Sequence, residues 1–425
     1  MCSHLFIAGA FPAGGVGHYI GYLFFPALAV ALPRIAMTVK LLRTSILDEA
    51  QRDYVRTSMS RGRSRSGILY RHVLKNTLVP VLTFLAMTVA DLLAGSVVIE
   101  QVFAVPGLGR LLLTSIEGRD EPVARAIVVL LAFAVILCNL ACRSARAAHR
   151  PAARQRSGRC GMKRKNTFLR VGLVLTALVV GFIVLGLFWT PYSPNAMDFS
   201  RLLPPSAAHP MGTDKFGRDI LSRVMVGAGD TLLIALGTVA IGTVAGTLVG
   251  ALTGWYGGWV DELLMRLNDA LASFPSILIL LVLVSLLGGG REHMTLALGI
   301  VFIPSYARIV RSEFARARTQ NYVHSAELMG ASTARILFVH ILPNIWHTLV
   351  SAITIGFNNA VLAEAAMSYL SIGVSPDEAS LGYMLSESQS MLGSAPWYAL
   401  GTGAVIVLLI LGVSLIGEGL QRGEN

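Results

Sequence analysis

Few side chains in this sequence are placed to do chemistry, and they fall into two sets. The first is a handful of carboxylates in or beside long apolar stretches: Asp91, Glu100 and Glu364. An ionisable group at membrane depth is costly and commonly marks a solute or ion path. Glu100 and Glu364 are therefore read as candidates for lining such a path and meeting a cationic group; the alternative is a hydrated place at the outer interface. The second set is a polar loop that occurs twice. Tyr54, Val55, Gly62, Ser64, Ile68, Leu69, His72, Leu74 and Asn76 are repeated as Tyr322, Val323, Gly330, Ser332, Ile336, Leu337, His340, Leu342 and Asn344, every pair 268 positions apart. Arg43 and Arg311 keep the same offset. Glycine turns the chain with positive φ at no side-chain cost. Ser332 then predicts a cap on a helix from Thr333 to His340. Pro343 suits the first turn of the apolar helix that follows. Such a loop does not catalyse. Two short helices hinged at glycine form an element that seats in a groove of a soluble partner and passes its motion to the attached spans.

Catalytic signatures are otherwise missing. There is no phosphate-binding Gly-x-x-x-x-Gly-Lys-Ser/Thr stretch, no His-Glu-x-x-His pair and no convincing nucleophile–base pair. The cysteines Cys2, Cys138, Cys142 and Cys160 show neither metal nor disulfide spacing. Cys138 and Cys142 share one helix face as small packing residues. The expectation is no catalytic residue, no metal and no cofactor held by this chain.

The elements that position the loops are membrane helices. The chain has 425 residues, of which 14% are charged, well under the ~25% of a soluble domain. The fold class expected is an all-α polytopic membrane protein with about nine spans. They are placed near 22–41, 77–99, 123–142, 170–189, 230–254, 274–288, 294–311, 346–368 and 397–417, the sixth being short. The net charge of +11 would suggest nucleic acid in a soluble chain, but here the basic residues cluster between spans. Arg43–Lys75, Arg143–Lys165 and Arg311–Asn344 are each expected on the cytoplasmic side by the positive-inside bias. Alternation then puts the C-terminus inside, the N-terminus outside, and Val102–Pro122 and Pro191–Gly229 outside. No signal peptide is read at the start, where Leu5–Phe11 is apolar but short. Residues 143–165 read as a basic linker dividing 1–142 from 166–425, and Met162-Lys163-Arg164-Lys165 looks like the start of a once separate membrane protein.

The loop resembles the EAA loop of ABC importer permeases, whose pattern is Glu-Ala-Ala, three residues, Gly, then an ending of hydrophobic-Leu-Pro. Here it stands as His324-Ser325-Ala326, Gly330 and Ile341-Leu342-Pro343, and in the first copy as Arg56-Thr57-Ser58, Gly62 and Val73-Leu74-Lys75. His324 and Arg56 replace the glutamate. Residues 162–425 resemble the C-type permease of dipeptide, oligopeptide and nickel importers, through Gly212–Asp219, Gly257–Asp261 and Ala395-Pro396-Trp397. Residues 22–142 resemble the C-terminal part of the partner B-type permease, through Asp53–Thr57 and Val102–Gly109. The resemblance implies a type-1 ABC importer permease fold and a multi-pass place in a bacterial cytoplasmic (inner) membrane. It implies separate ABC ATPase subunits that carry the ATP and Mg, an extracytoplasmic solute-binding protein, and a second permease chain as a further candidate partner. The solute is peptide as the commoner choice in the family, with nickel or another small solute as the alternative. The B-type spans expected before Tyr22 are missing, so an inactive truncated fusion is also weighed. A secondary transporter is the reading from another class, though its repeats are often inverted and this one is parallel.

Three further features are read structurally. Gly212–Asp219 is a turn-rich external segment, with contact to a binding protein as the alternative. Trp255, Tyr256 and Trp259 mark a membrane interface. Gly237, Gly242, Gly246, Gly250, Gly254 and Gly257, recurring at three- to five-residue spacing, predict close helix packing.

Overall fold

The computed structural model describes residues 16–50, 53–74, 76–77, 97–103, 105–118, 126–131, 167–274, 276–373 and 379–422, with isolated positions elsewhere between 81 and 137. The chain divides into two compact units, Met1–Cys160 and Gly161–Asn425. Among the described residues the structure is helical, with no strand.

In the first unit, α1 runs Val16–Ala50 and carries Pro26 and Pro33. Two short helices follow, α2 (Asp53–Ser60) and α3 (Arg65–Ile68), the latter running into a π-helical turn at Leu69–Val73. Helices α4 (Val97–Val102) and α5 (Leu108–Glu117) form a later pair. The expected spans at 77–99 and 123–142 fall mostly outside the described residues, as do Asp91 and the linker at 143–165.

The second unit is built on α6 (Thr167–Phe188), α7 (Ile220–Tyr256), α8 (Gly258–Ser273), α9 (Ser276–Leu287) and α10 (Arg291–Arg318). The repeated loop comes next. Helices α13 (Trp346–Tyr369), α14 (Leu381–Gln389) and α15 (Pro396–Arg422) complete it. Asp219 starts α7 by accepting hydrogen bonds from the Ser222 N–H at 2.8 Å and the Ser222 hydroxyl at 2.7 Å. At 37 residues α7 is about 55 Å long, more than the ~30 Å of a bilayer's hydrocarbon core.

Six helical stretches among the described residues are long and apolar enough to cross a membrane: Leu23–Leu47, Leu169–Phe188, Ile220–Tyr256, Arg291–Arg318, Thr333–Tyr369 and Pro396–Leu420. Their outward faces are apolar, with Val174, Leu178, Val244 and Val407 each more than 60% exposed. Lipid contact makes that arrangement stable, since chain packing leaves those faces uncovered.

The short span expected at 274–288 is corrected. It is the 12-residue helix α9, about 18 Å long and too short to cross by itself. Before it lies α8, separated from it by Phe274 in an extended conformation. The sequence stretch of α8 hides from a hydropathy reading because it is amphipathic. Its Asp261 pairs with Arg311, its Asp269 with Arg308, and its Asn268 donates to the Pro304 carbonyl, so one polar face lies along α10.

Helices α7 and α10 pack backbone against backbone, and the glycines are the reason. A Cβ on Gly246 would sit 2.5 Å from Tyr306 Cβ and 3.0 Å from the Ala307 nitrogen. One on Gly250 would sit 2.7 Å from both the Ala307 carbonyl and Val310 Cβ, and one on Gly254 2.7 Å from the Arg311 carbonyl. Gly237 and Gly242 likewise face Thr295 and Phe302. Gly257 departs from the expected series: at φ +63° it turns the chain between α7 and α8. A second seam was not anticipated. Gly412 and Gly419 of α15 admit Thr176 and Leu169 of α6, while Gly172 of α6 admits the backbone at Ile416. Gly250→Leu is expected to force α7 off α10 and destabilise the second unit by about 1–3 kcal/mol or more, read as a lower unfolding temperature in detergent.

Candidate functional site: a hinged loop built twice

The second copy of the loop starts where α10 ends. Helix α11 spans Asn321–Leu328, and α12 spans Thr333–Arg335. A π-helical turn at Ile336–Ile341 and a tight 3-10 turn at Leu342–Ile345, with Pro343 at its start, lead into α13. Between α11 and α12, Gly330 takes φ +77°. Its N–H reaches the Glu327 carbonyl at 3.0 Å, and the next N–H, of Ala331, reaches Ala326 at 3.1 Å. Ser332 caps α12 by accepting from the Arg335 N–H at 3.4 Å. These are the glycine hinge, the serine cap and the proline placement the sequence predicts. The expected single helix from Thr333 to His340 is helical throughout but widens into a π turn from Ile336 onward.

The loop is rooted by burial. Val323 and Ala326 of α11, with Ile336, Leu337, Ile341 and Ile345, join Val310, Phe314 and Ala317 of α10 and Ala251 and Trp255 of α7 in one apolar cluster. Arg318 donates to the Trp255 carbonyl at 2.7 Å and lies over its ring. Trp255 is therefore a root residue and not the interface marker expected; Tyr256 and Trp259 do face outward. At the free end the opposite holds: Leu328 and Met329 are 89% and 79% exposed. The loop thus has a buried apolar base and a two-residue exposed apolar tip.

The first copy repeats this geometry. Gly62 takes φ +76°, and Ser64 accepts from the Gly67 N–H at 3.3 Å, the same relation as Ser332 to Arg335. Val55, Ile68 and Val73 form its buried cluster; their counterparts at the fixed offset, Val323, Ile336 and Ile341, are buried too. The π turn Leu69–Val73 falls at the position of Ile336–Ile341. Its tip differs, with Ser60 and Arg61 where the second copy has Leu328 and Met329.

The remaining expected site residues take these places. Exposed His324 lies 3.3 Å from Glu327 and lines a cleft of about 350 Å³ with Gly257, Asp261, Arg311, Arg318 and Thr319. Ser325 donates to the Asn321 carbonyl at 2.9 Å. His340 is half-buried in the π turn, and Leu342, Pro343 and Asn344 form the 3-10 turn. Tyr54 and Asn76 meet at the base of the first loop. His72 lies in the first π turn, with its side chain outside the described residues.

The carboxylates read as path candidates sit in different settings. Glu100 accepts from the Gly109 and Arg110 N–H groups at 2.8 and 3.0 Å, which makes it the cap of α5. Gly107 is the residue that lets this carboxylate approach. Glu364 is fully buried in α13, where one oxygen accepts from the Ser368 hydroxyl at 2.7 Å. Its other oxygen has no partner among the described residues, and Thr231 of α7 lies beside it.

The turn at Gly212–Asp219 is an ion-pair centre that sequence reading could not assemble. Asp214 accepts from the N–H groups of Phe216 and Arg218 and from the Arg218 guanidinium at 2.6 Å. Arg218 also donates to both oxygens of Glu387 in α14, at 3.1 and 3.2 Å. Glu387 further accepts from Tyr398 of α15 at 3.1 Å and lies 3.5 Å from Arg223 of α7. Gly212, at φ +74°, leaves room for the Trp397 indole. The structural reading of this turn fits the geometry, since it ties three helices together.

The family described as binding-protein-dependent transport system inner membrane component matches residues 5–155 and 246–423. Each matched stretch holds one copy of the loop. The chain is 36% identical over 262 residues to a dipeptide transport system permease protein of Alkalihalophilus pseudofirmus, covering 61% of this chain and 85% of that one. It is 39% identical over 261 residues to a putative peptide transport system permease protein of Brucella suis, covering 61% and 88%. A dipeptide transport system permease protein of Haemophilus influenzae is 34% identical over 265 residues, covering 61% and 90%.

Proposed function

Because this chain belongs to the family of binding-protein-dependent transport system inner membrane components, we propose that it is the membrane permease of an ATP-driven importer of dipeptides or oligopeptides. One observation supports this above the rest: two loops of one geometry, each hinged at a glycine of positive φ, capped by a serine and wound into a π turn at the same place. Each loop docks a separate ABC ATPase, which holds ATP and Mg. Closure of the nucleotide-bound ATPases moves both loops and switches the helices between inward- and outward-facing states, which requires contacts that differ between those states. A solute-binding protein delivers the peptide from the outer side. The loops and the C-terminus are cytoplasmic. Residues 1–142 serve as the B-type permease portion, 143–165 as a basic linker and 166–425 as a C-type permease, with a second permease chain as a further partner. Buried Glu364 lies on the solute path.

The test reconstitutes the full chain with its ATPase subunits and binding protein in liposomes and follows radiolabelled dialanine. Uptake that requires ATP, and a cysteine at Leu328 that crosslinks to the ATPase, are the expected results. Uptake driven by an ion gradient without ATP would move the chain to a different transporter class. A Leu328 cysteine labelled only from the outer side would remove the docking role.

A further inference from the structure

We infer that Glu49 is a positioning residue that locks the first loop at its base, a lock the second loop lacks. This rests on the docking reading above. Glu49 is the last residue but one of α1 and is 8% exposed. One of its oxygens accepts from the Tyr54 hydroxyl and from the Asn76 side-chain amide, both at 3.0 Å. The Asn76 amide also lies 3.4 Å from the Tyr54 oxygen, closing a triangle. Tyr54 opens the loop and Asn76 closes it, so the carboxylate joins the two ends of the hinged element to the helix that carries it. Hydrogen bonds to a charged acceptor are the strong ones, and in a buried place they fix geometry as well as stability.

The second copy keeps the tyrosine and the asparagine as Tyr322 and Asn344, but the position matching Glu49 is Ala317. Ala317 is buried in the apolar cluster at the root of that loop and offers no acceptor. Among the described residues the first loop has a smaller buried cluster, Val55, Ile68 and Val73 with Ile46 and Tyr54 packed on it. Two solutions to one mechanical demand follow. The second loop is held by apolar area and the first by a carboxylate clamp. The first is thus the loop whose two ends are tied by a carboxylate.

The test places the full chain in lipid nanodiscs and measures binding of the ATPase subunits, with Glu49→Ala, Glu49→Gln, Asn76→Ala and Gly330→Val compared. Glu49→Ala and Asn76→Ala are each expected to weaken ATPase binding roughly tenfold, the scale of a lost buried hydrogen bond to a charged group. Glu49→Gln keeps the acceptor oxygen without its charge and is expected to bind more tightly than Glu49→Ala and more weakly than the parent. Asn76 is exposed, so its variant keeps the test decisive if Glu49→Ala fails to fold. Parental binding by Asn76→Ala and any folded Glu49→Ala, alongside weak binding by Gly330→Val, would overturn the clamp and leave docking intact. Parental binding by all the variants would overturn both.

Discussion

Glu387→Ala is expected to destabilise the second unit by about 3–5 kcal/mol, the cost of leaving buried charge without its partner. Four side chains converge on that carboxylate: Arg218, Arg223, Tyr398 and, at 3.9 Å, Lys215. Arg218 and Arg223 are 7% and 1% exposed and Glu387 is 8% exposed, so water cannot take over the pairing. Burial opposes the charge on Arg218, but its hydrogen bond to Asp214 and the charges of Asp214 and Glu387 outweigh it and hold its pKa above the usual arginine value. Arg218 therefore stays cationic at any pH a cell meets, and neutralising Glu387 cannot be answered by losing a proton. Arg223 is worse placed: its Nε and one terminal nitrogen have no partner among the described residues, so Glu387 is the anion it has. Tyr398 loses its acceptor in the same change. Thermal unfolding of the purified chain in detergent reads the effect. Glu387→Gln keeps the shape and one acceptor and is expected to fall between the two. An unfolding temperature equal to the parent's in both variants would mean that the cations find other compensation.

Gly330→Val is expected to cut ATP-driven uptake by at least about tenfold, since a β-branched residue at positive φ is a strained outlier and a 1–2 kcal/mol penalty is of that order. The space around Gly330 is open, with nothing within 4 Å of an added Cβ. Steric clash is thus not the cause; the backbone conformation is. The variant relieves its strain by moving the hinge, which re-aims Leu328 and Met329. Gly330→Asn separates the two explanations, because asparagine tolerates the left-handed region and is expected to keep most of the uptake. Membrane levels of all three proteins are compared by quantitative immunoblot. Equal uptake by the valine and asparagine variants would show that the hinge angle does not matter to transport.

The loops were legible in the sequence because their turn chemistry is local. A glycine, a serine two residues later and a proline ahead of an apolar run each state their conformation within a few residues. The α7 glycines were legible for a similar reason, as their spacing marks one helix face. The α6–α15 seam was not, since its glycines are split between helices more than 200 residues apart in the chain. The pairing of Arg218 with Glu387 spans 169 positions, and nothing local marks either residue as the other's partner. Helix α8 was missed because its aspartates interrupt the hydropathy that identifies a span. Glu100 was singled out as a charge near a span, and the structure puts that charge to use on the N–H groups that open α5. Glu49 drew no notice because only its neighbours Tyr54 and Asn76 are repeated, and the feature that sets it apart is that its counterpart is an alanine.

The π turns at Leu69–Val73 and Ile336–Ile341 give both connections a spare residue of winding. Drawn out to ordinary α pitch, one such residue advances the helix beyond it by about 1.5 Å and screws it through about 100°. Beyond the second turn, through the 3-10 turn at Leu342–Ile345, that helix is α13, so a small push on the loop would revolve the buried carboxylate of Glu364 about the helix axis.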